Sequence, residues 1–321
     1  MAALLQIEHL KKYFDVSSGT LHAVDDVTFH IDEGKTLGVV GESGCGKSTL
    51  GRVILHLLDN SGGKILYKGE DITNVDRKKL SELRQEMQII FQDPFSSLNP
   101  KYTVYQSIEE PLLIQGKLSK SEIEKRVYEI MDMVGLARRL VNSYPHELDG
   151  GRRQRIGIGR ALSIRPKFIV CDEPVSALDV SIQAQVLNLL QDIQKEMNLT
   201  YMFITHDLAV VKYISDQIMV MYLGQMVEFT SADELFQNQL HPYTKALLSA
   251  VPSPDIDHKR NRILLKGEIK SPIDPGPGCR FASRCQYASE KCFKDNPDVV
   301  EYKTGHFVRC HYVDKINEKN V

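Results

Sequence analysis

The sequence lacks three features that would place it in whole classes of protein. No apolar run in its 321 residues approaches the roughly 18 residues of a membrane-spanning helix, and its N-terminus lacks the layout of a signal peptide. It also has no basic excess, because 40 Lys and Arg residues face 42 Asp and Glu residues for a net charge of −2, whereas nucleic-acid-binding proteins usually carry a basic patch or stripe. We therefore expect a cytoplasmic protein that does not bind nucleic acid and that reaches a membrane through partner subunits.

The sequence does contain a complete phosphate-binding loop of the form G-x-x-x-x-G-K-[ST]. The loop consists of Gly41, Glu42, Ser43, Gly44, Cys45, Gly46, Lys47, Ser48 and Thr49. The apolar run Thr36–Val40 before it indicates a buried parallel strand. Periodicity after the loop predicts a helix from Gly46 to Leu58, whose N-terminus would point its amides at a phosphate. We expect Lys47 to reach the outer phosphates and the Ser48 hydroxyl to bind magnesium. The apolar side of the helix would be formed by Leu50, Val53, Ile54 and Leu57.

A second apolar run delivers two acidic residues. Phe168–Cys171 reads as a buried strand and ends in Asp172 and Glu173, and ligands of open α/β sheets bind at the carboxyl ends of parallel strands. We expect Asp172 to hold magnesium, directly or through water. Glu173 would polarise the attacking water or accept its proton.

Further motifs follow in a fixed order along the chain. They are Tyr13 within Lys11–Phe14, Gln92 within Ile90–Pro94, the stretch Leu148–Gln154, the segment Ser176, Ala177, Leu178 and Asp179, and His206 within Ile204–Asp207. In this order the motifs resemble those of the nucleotide-binding subunits of ATP-binding cassette (ABC) importers, and the resemblance covers nearly the whole chain. It implies that the chain binds and hydrolyses ATP with Mg²⁺.

The resemblance also implies a role for each of these residues. Tyr13 would stack on adenine, with Phe14 as its rival. Gln92 would contact magnesium and sense a transmembrane subunit, and His206 would contact the γ-phosphate. Ser176–Asp179 would form the D-loop.

The signature motif differs from the usual family form, Leu-Ser-Gly-Gly-Gln. Asp149 stands at the serine position and Arg152 at the glutamine position, around Gly150 and Gly151. In the family, the signature of one cassette faces the ATP held by another, so a carboxylate here would repel the triphosphate. Arg152 could neutralise it, since residues three apart on a helix can meet. We therefore predict a heterodimer with two unequal ATP sites; the alternative is a tolerated variant without asymmetry.

The fold class implied by the resemblance is α/β: a P-loop NTPase cassette with a parallel core sheet, an antiparallel β subdomain and a helical subdomain. Strands are expected near 4–31 (antiparallel, with a turn or bulge near Asp25–Asp26), 35–40, 87–91, 168–172, 201–205 and 218–222. The cassette would span residues 1–240, with its helical subdomain at about 93–163. Within that subdomain, a helix is expected to be capped at Ser121 and to end at Gly135. A Pro-rich tract from Pro252 to Pro277 predicts extended structure in an extension at 241–321.

Four cysteines lie close together near the end of the sequence: Cys279, Cys285, Cys292 and Cys310. In a cytosolic protein such a group suggests a metal site more than disulfides. The spacing lacks the tight pairs that are usual for zinc, which favours an iron–sulfur cluster. Free thiols or reversible disulfides remain alternatives. Resemblance of this region to the C-terminal extension of oligopeptide and dipeptide importer ATPases implies a [4Fe–4S] cluster, with zinc as the lesser alternative.

The whole pattern is most similar to the second ATP-binding subunit of a peptide-type ABC importer. The resemblance implies a second ATPase subunit, two transmembrane permease subunits and, indirectly, a solute-binding protein as partners, with the chain peripheral on the cytoplasmic face of the cell membrane. One alternative is a soluble ABC ATPase that acts on ribosomes or DNA. Others are an importer for nickel or oligosaccharides, and a regulatory subunit with inactive ATP sites.

Overall fold

The computed structural model describes residues 3–251, 262–267 and 271–317. The strands in these ranges are β1 (Ala3–Val16), β2 (Gly19–Asp32), β3 (Thr36–Val40), β4 (Gly62–Tyr67), β5 (Glu70–Asp71), β6 (Met87–Ile90), β7 (Phe168–Asp172), β8 (Thr200–Ile204), β9 (Gln217–Tyr222), β10 (Gln225–Ser231), β11 (Val300–Lys303) and β12 (His306–Val308). The α-helices there are α1 (Lys47–Ile54), α2 (Arg77–Glu86), α3 (Pro94–Ser97), α4 (Val104–Gln115), α5 (Lys120–Met133), α6 (Gly150–Leu162), α7 (Val180–Met197), α8 (Leu208–Ile214), α9 (Ala232–Gln237), α10 (Pro242–Ser249), α11 (Glu290–Lys294) and α12 (Val313–Asn317).

The expected core strands are present. β6 pairs with β7 and β7 with β8 in parallel register, and β3 pairs with β9 in parallel. Every residue of β3, β7 and β8 is buried, which explains why these strands read as continuous apolar runs rather than as alternating ones. The predicted α/β class with a parallel core is confirmed.

The described chain forms two compact units. The first unit comprises Asp32–Lys35 and Asn74–Ile204; the second comprises Ala3–Ile31, Thr36–Thr73 and the described part of Thr205–Val321. The expected boundary at residue 240 stays a prediction.

The first unit contains the sheet β6-β7-β8 and helices α2 to α7. Helices dominate between residues 93 and 163, as expected. The cap of α5 was wrongly predicted at Ser121: the Ser119 hydroxyl accepts from the Glu122 amide, and the Glu122 carboxylate accepts from the Ser119 amide at 2.8 Å. This reciprocal pair satisfies two helix-end donors at once, so it fixes the start two residues earlier. Gly135 follows the helix with a φ of 67°, as its expected role at the helix end requires.

The second unit contains the antiparallel sheet β2-β1-β4-β5 and the strands β3, β9, β10, β12 and β11. Asp26 has a φ of 59° inside β2, where a turn or bulge was expected. The helix after the phosphate loop is shorter than predicted, because α1 ends at Ile54 and His56 has a φ of 53°. Leu57 consequently lies outside the helix and is exposed, whereas it was expected on the apolar side.

The C-terminal region packs onto the strands of the second unit. β12 pairs with β10, and β11 pairs with β12. Phe281 is buried between Tyr222 and Tyr243, with ring centroids 5.2 and 5.5 Å away. The tract at 271–277 contains no helix and bridges to β2 at Ile273, as its prolines led us to expect; Pro252 and Pro254 lie outside the described residues.

Candidate nucleotide-binding and signature sites

The phosphate loop lies between β3 and α1 in the second unit. Its glycines adopt positive φ angles, 154° at Gly41, 76° at Gly44 and 103° at Gly46, which a residue with a Cβ adopts only with strain. A Cβ at Gly46 would also lie 2.0 Å from the Ala23 carbonyl oxygen. The buried Lys47 ammonium donates to the carbonyl oxygens of Gly41 at 2.8 Å and Glu42 at 3.1 Å. The lysine side chain thus folds back over its own loop. Its ammonium group lies where we expect the loop to bind phosphate.

Glu42, the second residue of the loop, is held by the C-terminal region. Its amide donates to the Tyr243 hydroxyl at 2.9 Å. Its carboxylate accepts two hydrogen bonds from Arg284, at 2.7 and 3.1 Å. The Arg284 side chain is 8% exposed and that of Glu42 is 23% exposed. Hydrogen bonding to Glu42 raises the pKa of Arg284 above its usual value despite burial. Sequence reasoning did not find this pair, because its members are 242 residues apart.

Tyr13 lies in β1 of the same unit, where its ring stacks on His22 with centroids 4.1 Å apart. Its hydroxyl donates to Asp25, and Asp25 also pairs with Arg280 of the C-terminal region. Burial alone would raise the pKa of Asp25, but the hydrogen bond from Tyr13 and the charge of Arg280 outweigh burial and lower it. Tyr13 is therefore oriented by a charged network, which the sequence did not suggest.

His206 follows β8, belongs to the second unit and is exposed. The next residue, Asp207, caps α8 by accepting from the Ala209 amide at 2.8 Å. The histidine is thus presented by the turn between a buried strand and a capped helix.

The first unit contains the acidic pair and Gln92. Asp172 is buried at the end of β7, and Glu173 follows it with a φ of 48°. A left-handed conformation in a residue other than glycine is strained and is concentrated at functional sites. The Gln92 amide donates to the Glu173 carboxylate at 3.0 Å. The structure thus brings together two residues that the sequence assigned to separate motifs.

The altered signature begins α6. Asp149 is the N-cap, and its carboxylate accepts from the Arg152 amide at 2.8 Å. The Arg152 guanidinium also pairs with the other carboxylate oxygen at 3.3 Å. The side chains of Arg152 and Asp149 are 49% and 58% exposed. The expected pairing of these two residues is present, and the carboxylate also has a helix-capping role that the sequence analysis did not consider.

The D-loop packs against the signature within the first unit. Asp179 caps α7 by accepting from the Ile182 amide at 3.1 Å. A Cβ added to Gly151 would lie 2.6 Å from an Ile182 methyl group, and one on Gly150 would lie 3.2 Å from Leu178. A side chain at Gly151 would therefore force α7 or its side chains to shift, whereas one at Gly150 would require only a small movement of Leu178. Ser176 donates to the Glu173 carbonyl oxygen at 3.1 Å, which connects the D-loop back to the acidic pair.

The four clustered cysteines line one small cavity, together with His241, Phe281 and Tyr312. Burial raises the pKa of Cys279 and of Cys310 to about 11 each. Within the described residues, however, no three His, Cys, Asp or Glu side chains form a group that could hold a metal ion. The structure therefore gives no support to the predicted iron–sulfur or zinc site beyond the convergence of the thiols.

Comparison with known proteins decides the family. The model described as ABC transporter matches residues 24–176, and the model described as oligopeptide/dipeptide transporter, C-terminal region, matches residues 227–292. The chain is 52% identical to the oligopeptide transport ATP-binding protein OppF of Salmonella typhimurium, with 98% of this chain and 97% of that protein aligned. The chain belongs to the ABC transporter ATPases. It is also 50% identical to OppF of Escherichia coli, with 98% and 97% aligned, and 49% identical to AppF of Bacillus subtilis, with 96% and 97% aligned.

Solved structures of ABC proteins share the fold. CbiO1 of Clostridium perfringens, part of an ABC transporter complex, superimposes with a TM-score of 0.67 at 31% identity, covering 74% of this chain and 92% of that one. An ATP-binding cassette solved as a dimer with ADP and Pi has a TM-score of 0.65 at 28% identity, covering 71% and 98%. The chain is thus an ATP-hydrolysing enzyme of the ABC type. Among its described helices, none is both long and apolar enough to cross a membrane.

Proposed function

We propose that this ABC ATPase energises the import of di- or oligopeptides through a membrane transporter. The observation that carries the proposal is the match to the oligopeptide/dipeptide transporter C-terminal region, together with relatives of about half identity that are named for oligopeptide transport. In the complete transporter in vesicles, peptide uptake should require ATP and stop in the Glu173→Gln variant. ATP-driven uptake of nickel or an oligosaccharide instead would contradict the proposed substrate.

We also propose a division of labour at the nucleotide. Tyr13, Gln92 and the loop residues 41–49 bind ATP; Ser48, Gln92 and Asp172 serve magnesium; Glu173 and His206 act in hydrolysis. In support, Lys47 is folded over its loop and Glu173 is held by Gln92. Glu173 would take a proton from the attacking water, and His206 would contact the γ-phosphate. A carboxylate placed to accept that proton typically contributes about a hundredfold or more to the rate.

The partners follow from the same family. We propose a second ATPase subunit, two permease subunits and an indirectly acting solute-binding protein, with this chain on the cytoplasmic face of the membrane. The solved dimeric cassette with ADP and Pi supports pairing of two cassettes. Fractionation tests this placement: the chain should sediment with membranes only when the permease subunits are present. Sedimentation with ribosomes or DNA would favour the soluble alternative.

We propose that the two ATP sites of the pair are unequal. Asp149 fills the position of the signature serine, and its carboxylate occupies the N-terminus of α6. It would face the triphosphate held by the partner, while this chain's own loop would use the partner's signature. Asp149→Ser in the assembled pair should increase hydrolysis at the partner's site, measured with this chain's Glu173→Gln background. An unchanged rate would contradict the asymmetry.

For the C-terminal cysteines we propose a [4Fe–4S] cluster bound by Cys279, Cys285, Cys292 and Cys310, with zinc as the lesser alternative. Their common cavity supports the proposal, and their ligand type fits, since such clusters are bound by four thiolates. The group would offset the partial burial of these thiolates and hold a Pro-rich extension together. Anaerobically purified chain should contain iron and acid-labile sulfide in equal amounts. Absence of iron, sulfide and zinc would leave these residues as thiols.

A further inference from the structure

A seven-residue turn of the C-terminal region carries two arginines, Arg280 and Arg284. Their side chains contact residues in and near the phosphate loop and the network of Tyr13. This turn, Cys279–Cys285, is named here the arginine clasp. It is closed by hydrogen bonds from the Ala282 amide to the Cys279 carbonyl oxygen at 3.0 Å and from the Arg284 amide to that of Phe281 at 3.0 Å. Phe281 anchors it in the core. The clasp is thus a hydrogen-bonded turn anchored in the core, and the arginine side chains emerge from it.

Arg284 reaches the phosphate loop from the clasp. Its two terminal nitrogens bind the two oxygens of the Glu42 carboxylate, and its guanidinium lies over the Tyr222 ring at 5.9 Å. The planar fork of arginine matches a carboxylate in this way and lysine does not. The contact fixes the direction of the Glu42 side chain as well as neutralising its charge.

Glu42 transmits this contact to the residues that meet phosphate. Its carbonyl oxygen accepts from the Lys47 ammonium at 3.1 Å, and its amide is held by the Tyr243 hydroxyl. A displacement of Glu42 would therefore move one of the carbonyl oxygens that accept a hydrogen bond from Lys47. An uncompensated carboxylate at this position would also repel a triphosphate.

The other arginine of the clasp, Arg280, contacts the residue that follows β9 and the network of Tyr13. Arg280 donates to the Leu223 carbonyl oxygen and pairs with Asp25, which accepts from Tyr13. The neighbouring Gly224 amide donates to the Cys45 carbonyl oxygen at 2.9 Å. The clasp therefore contacts the loop directly through Arg284 and reaches Tyr13, the residue expected to stack on adenine, through Asp25.

We propose that Arg284 is a positioning residue for ATP binding, which acts through Glu42 to hold the phosphate loop in its binding conformation. The C-terminal region is then part of the nucleotide site of its own chain, and not only an appendage. This inference rests on the proposed role of the loop in binding ATP.

Nucleotide titration of the full-length chain tests the proposal. Arg284→Gln should weaken ATP binding about tenfold, a typical coupling between neighbouring groups, and in the assembled transporter it should raise KM for ATP more than it lowers kcat. The ATP affinity of Arg284→Lys should lie between those of the wild type and Arg284→Gln, because lysine keeps the positive charge but lacks the planar fork of arginine. This conservative variant also serves if Arg284→Gln does not fold.

Arg309→Gln is the matched control. Arg309 is a buried arginine of the same region that pairs with Asp26 at 3.0 Å and donates to the Pro297 carbonyl oxygen at 3.4 Å. Among the described residues, its side chain makes no hydrogen bond to residues 41–49. It should destabilise the chain while leaving ATP affinity within about twofold of the wild type, less than the coupling expected of residues in contact. Equal losses of affinity in the two variants would reduce Arg284 to a structural role and overturn the proposal.

Two further variants separate the possible failures. In Glu42→Gln/Arg284→Gln, the second substitution should add little to the first if Arg284 acts through Glu42; additive losses would overturn the inference. Lys47→Ala should abolish ATP binding. If it does not, the proposed function of the loop itself fails, whereas an unaffected Arg284→Gln in a Lys47-dependent chain overturns only the role of Arg284.

Discussion

One arginine–carboxylate pair lies at the phosphate loop and another lies at the signature motif. The two pairs differ in burial, in hydrogen bonding and in the sequence separation of their members. Arg284 and Glu42 are mostly buried, bind through two hydrogen bonds and join the C-terminal region to the phosphate loop. Arg152 and Asp149 are about half exposed, lie three residues apart on one helix and join nothing distant. The first pair holds a loop in place, whereas the second changes the charge of a surface that a partner would meet.

Because of this difference, the two pairs should affect different states of the protein. A buried pair that loses one member leaves a charge without compensation, which is costly for folding and for the loop. An exposed pair is screened by water and contributes little to folding. Its effect is expected only when another molecule excludes that water, and so it should appear in the assembled complex and not in the isolated chain.

The largest expected effect is on ATP hydrolysis and follows from replacing Glu173, the proposed base. Glu173→Gln should lower ATP hydrolysis about a hundredfold or more while ATP binding is retained, because the amide cannot accept a proton. Turnover and nucleotide binding of the assembled transporter measure the two quantities. Glu196→Gln, an exposed position of α7, is the control. Retained turnover in Glu173→Gln would show that this carboxylate is not the base.

Breaking the buried pair should have the next largest effect. Arg284→Gln should lower the free energy of unfolding by about 3 kcal/mol, because Glu42 is left partly buried and unpaired. Arg152→Gln should change it by less than about 1 kcal/mol. Denaturant unfolding of the full-length variants measures both, and equal losses would contradict the contrast between the two pairs.

The helix cap distinguishes two roles of Asp149. Asp149→Ala should cost about 1 kcal/mol of stability, since it removes the oxygen that accepts from the Arg152 amide. Asp149→Ser should cost only a few tenths of a kcal/mol, because serine caps a helix about as well. The serine variant therefore changes charge without changing the fold, which makes it suitable for testing the partner site. A large loss of stability in that variant would show that the carboxylate has further structural partners.

The smallest expected effect is on the pH dependence of stability, and it comes from Asp25, the partner of Arg280. Hydrogen bonding by Tyr13 and the charge of Arg280 hold the pKa of Asp25 below its usual value, against the effect of burial. The folded state therefore binds this proton less readily than the unfolded state. The resulting stability is present above an unfolded pKa of about 3.9 and is lost as the pH falls through the lower folded value. Acid unfolding of Asp25→Asn should be less steep in this range; an identical profile would contradict the assignment.

The local features of the fold and of the candidate site could be predicted from the sequence. The buried strands, the phosphate loop and the acidic pair follow from short apolar runs and fixed spacings, and the pairing of Asp149 with Arg152 follows from helix geometry. The start of α5 was missed because both Ser119 and Ser121 precede a glutamate by three residues, so the pattern alone could not choose between them.

The long-range parts could not be predicted. No periodicity relates Arg284 to Glu42, or Arg280 to Asp25, since each pair is more than 240 residues apart. The hydrogen bond between Gln92 and Glu173 likewise depends on the parallel pairing of β6 with β7, which places two sequence-distant ends side by side. The spacing of four cysteines indicated a common site but could not fix the distances between their sulfur atoms.

The most direct test is ATP hydrolysis by the purified chain over a wide range of protein concentration, with and without a partner cassette that carries an unaltered signature. We expect little activity from the chain alone and restored activity with the partner, because this chain supplies a complete phosphate loop and an altered signature. Robust activity of the chain alone, rising more steeply than linearly with concentration, would show productive self-pairing and would contradict the unequal sites.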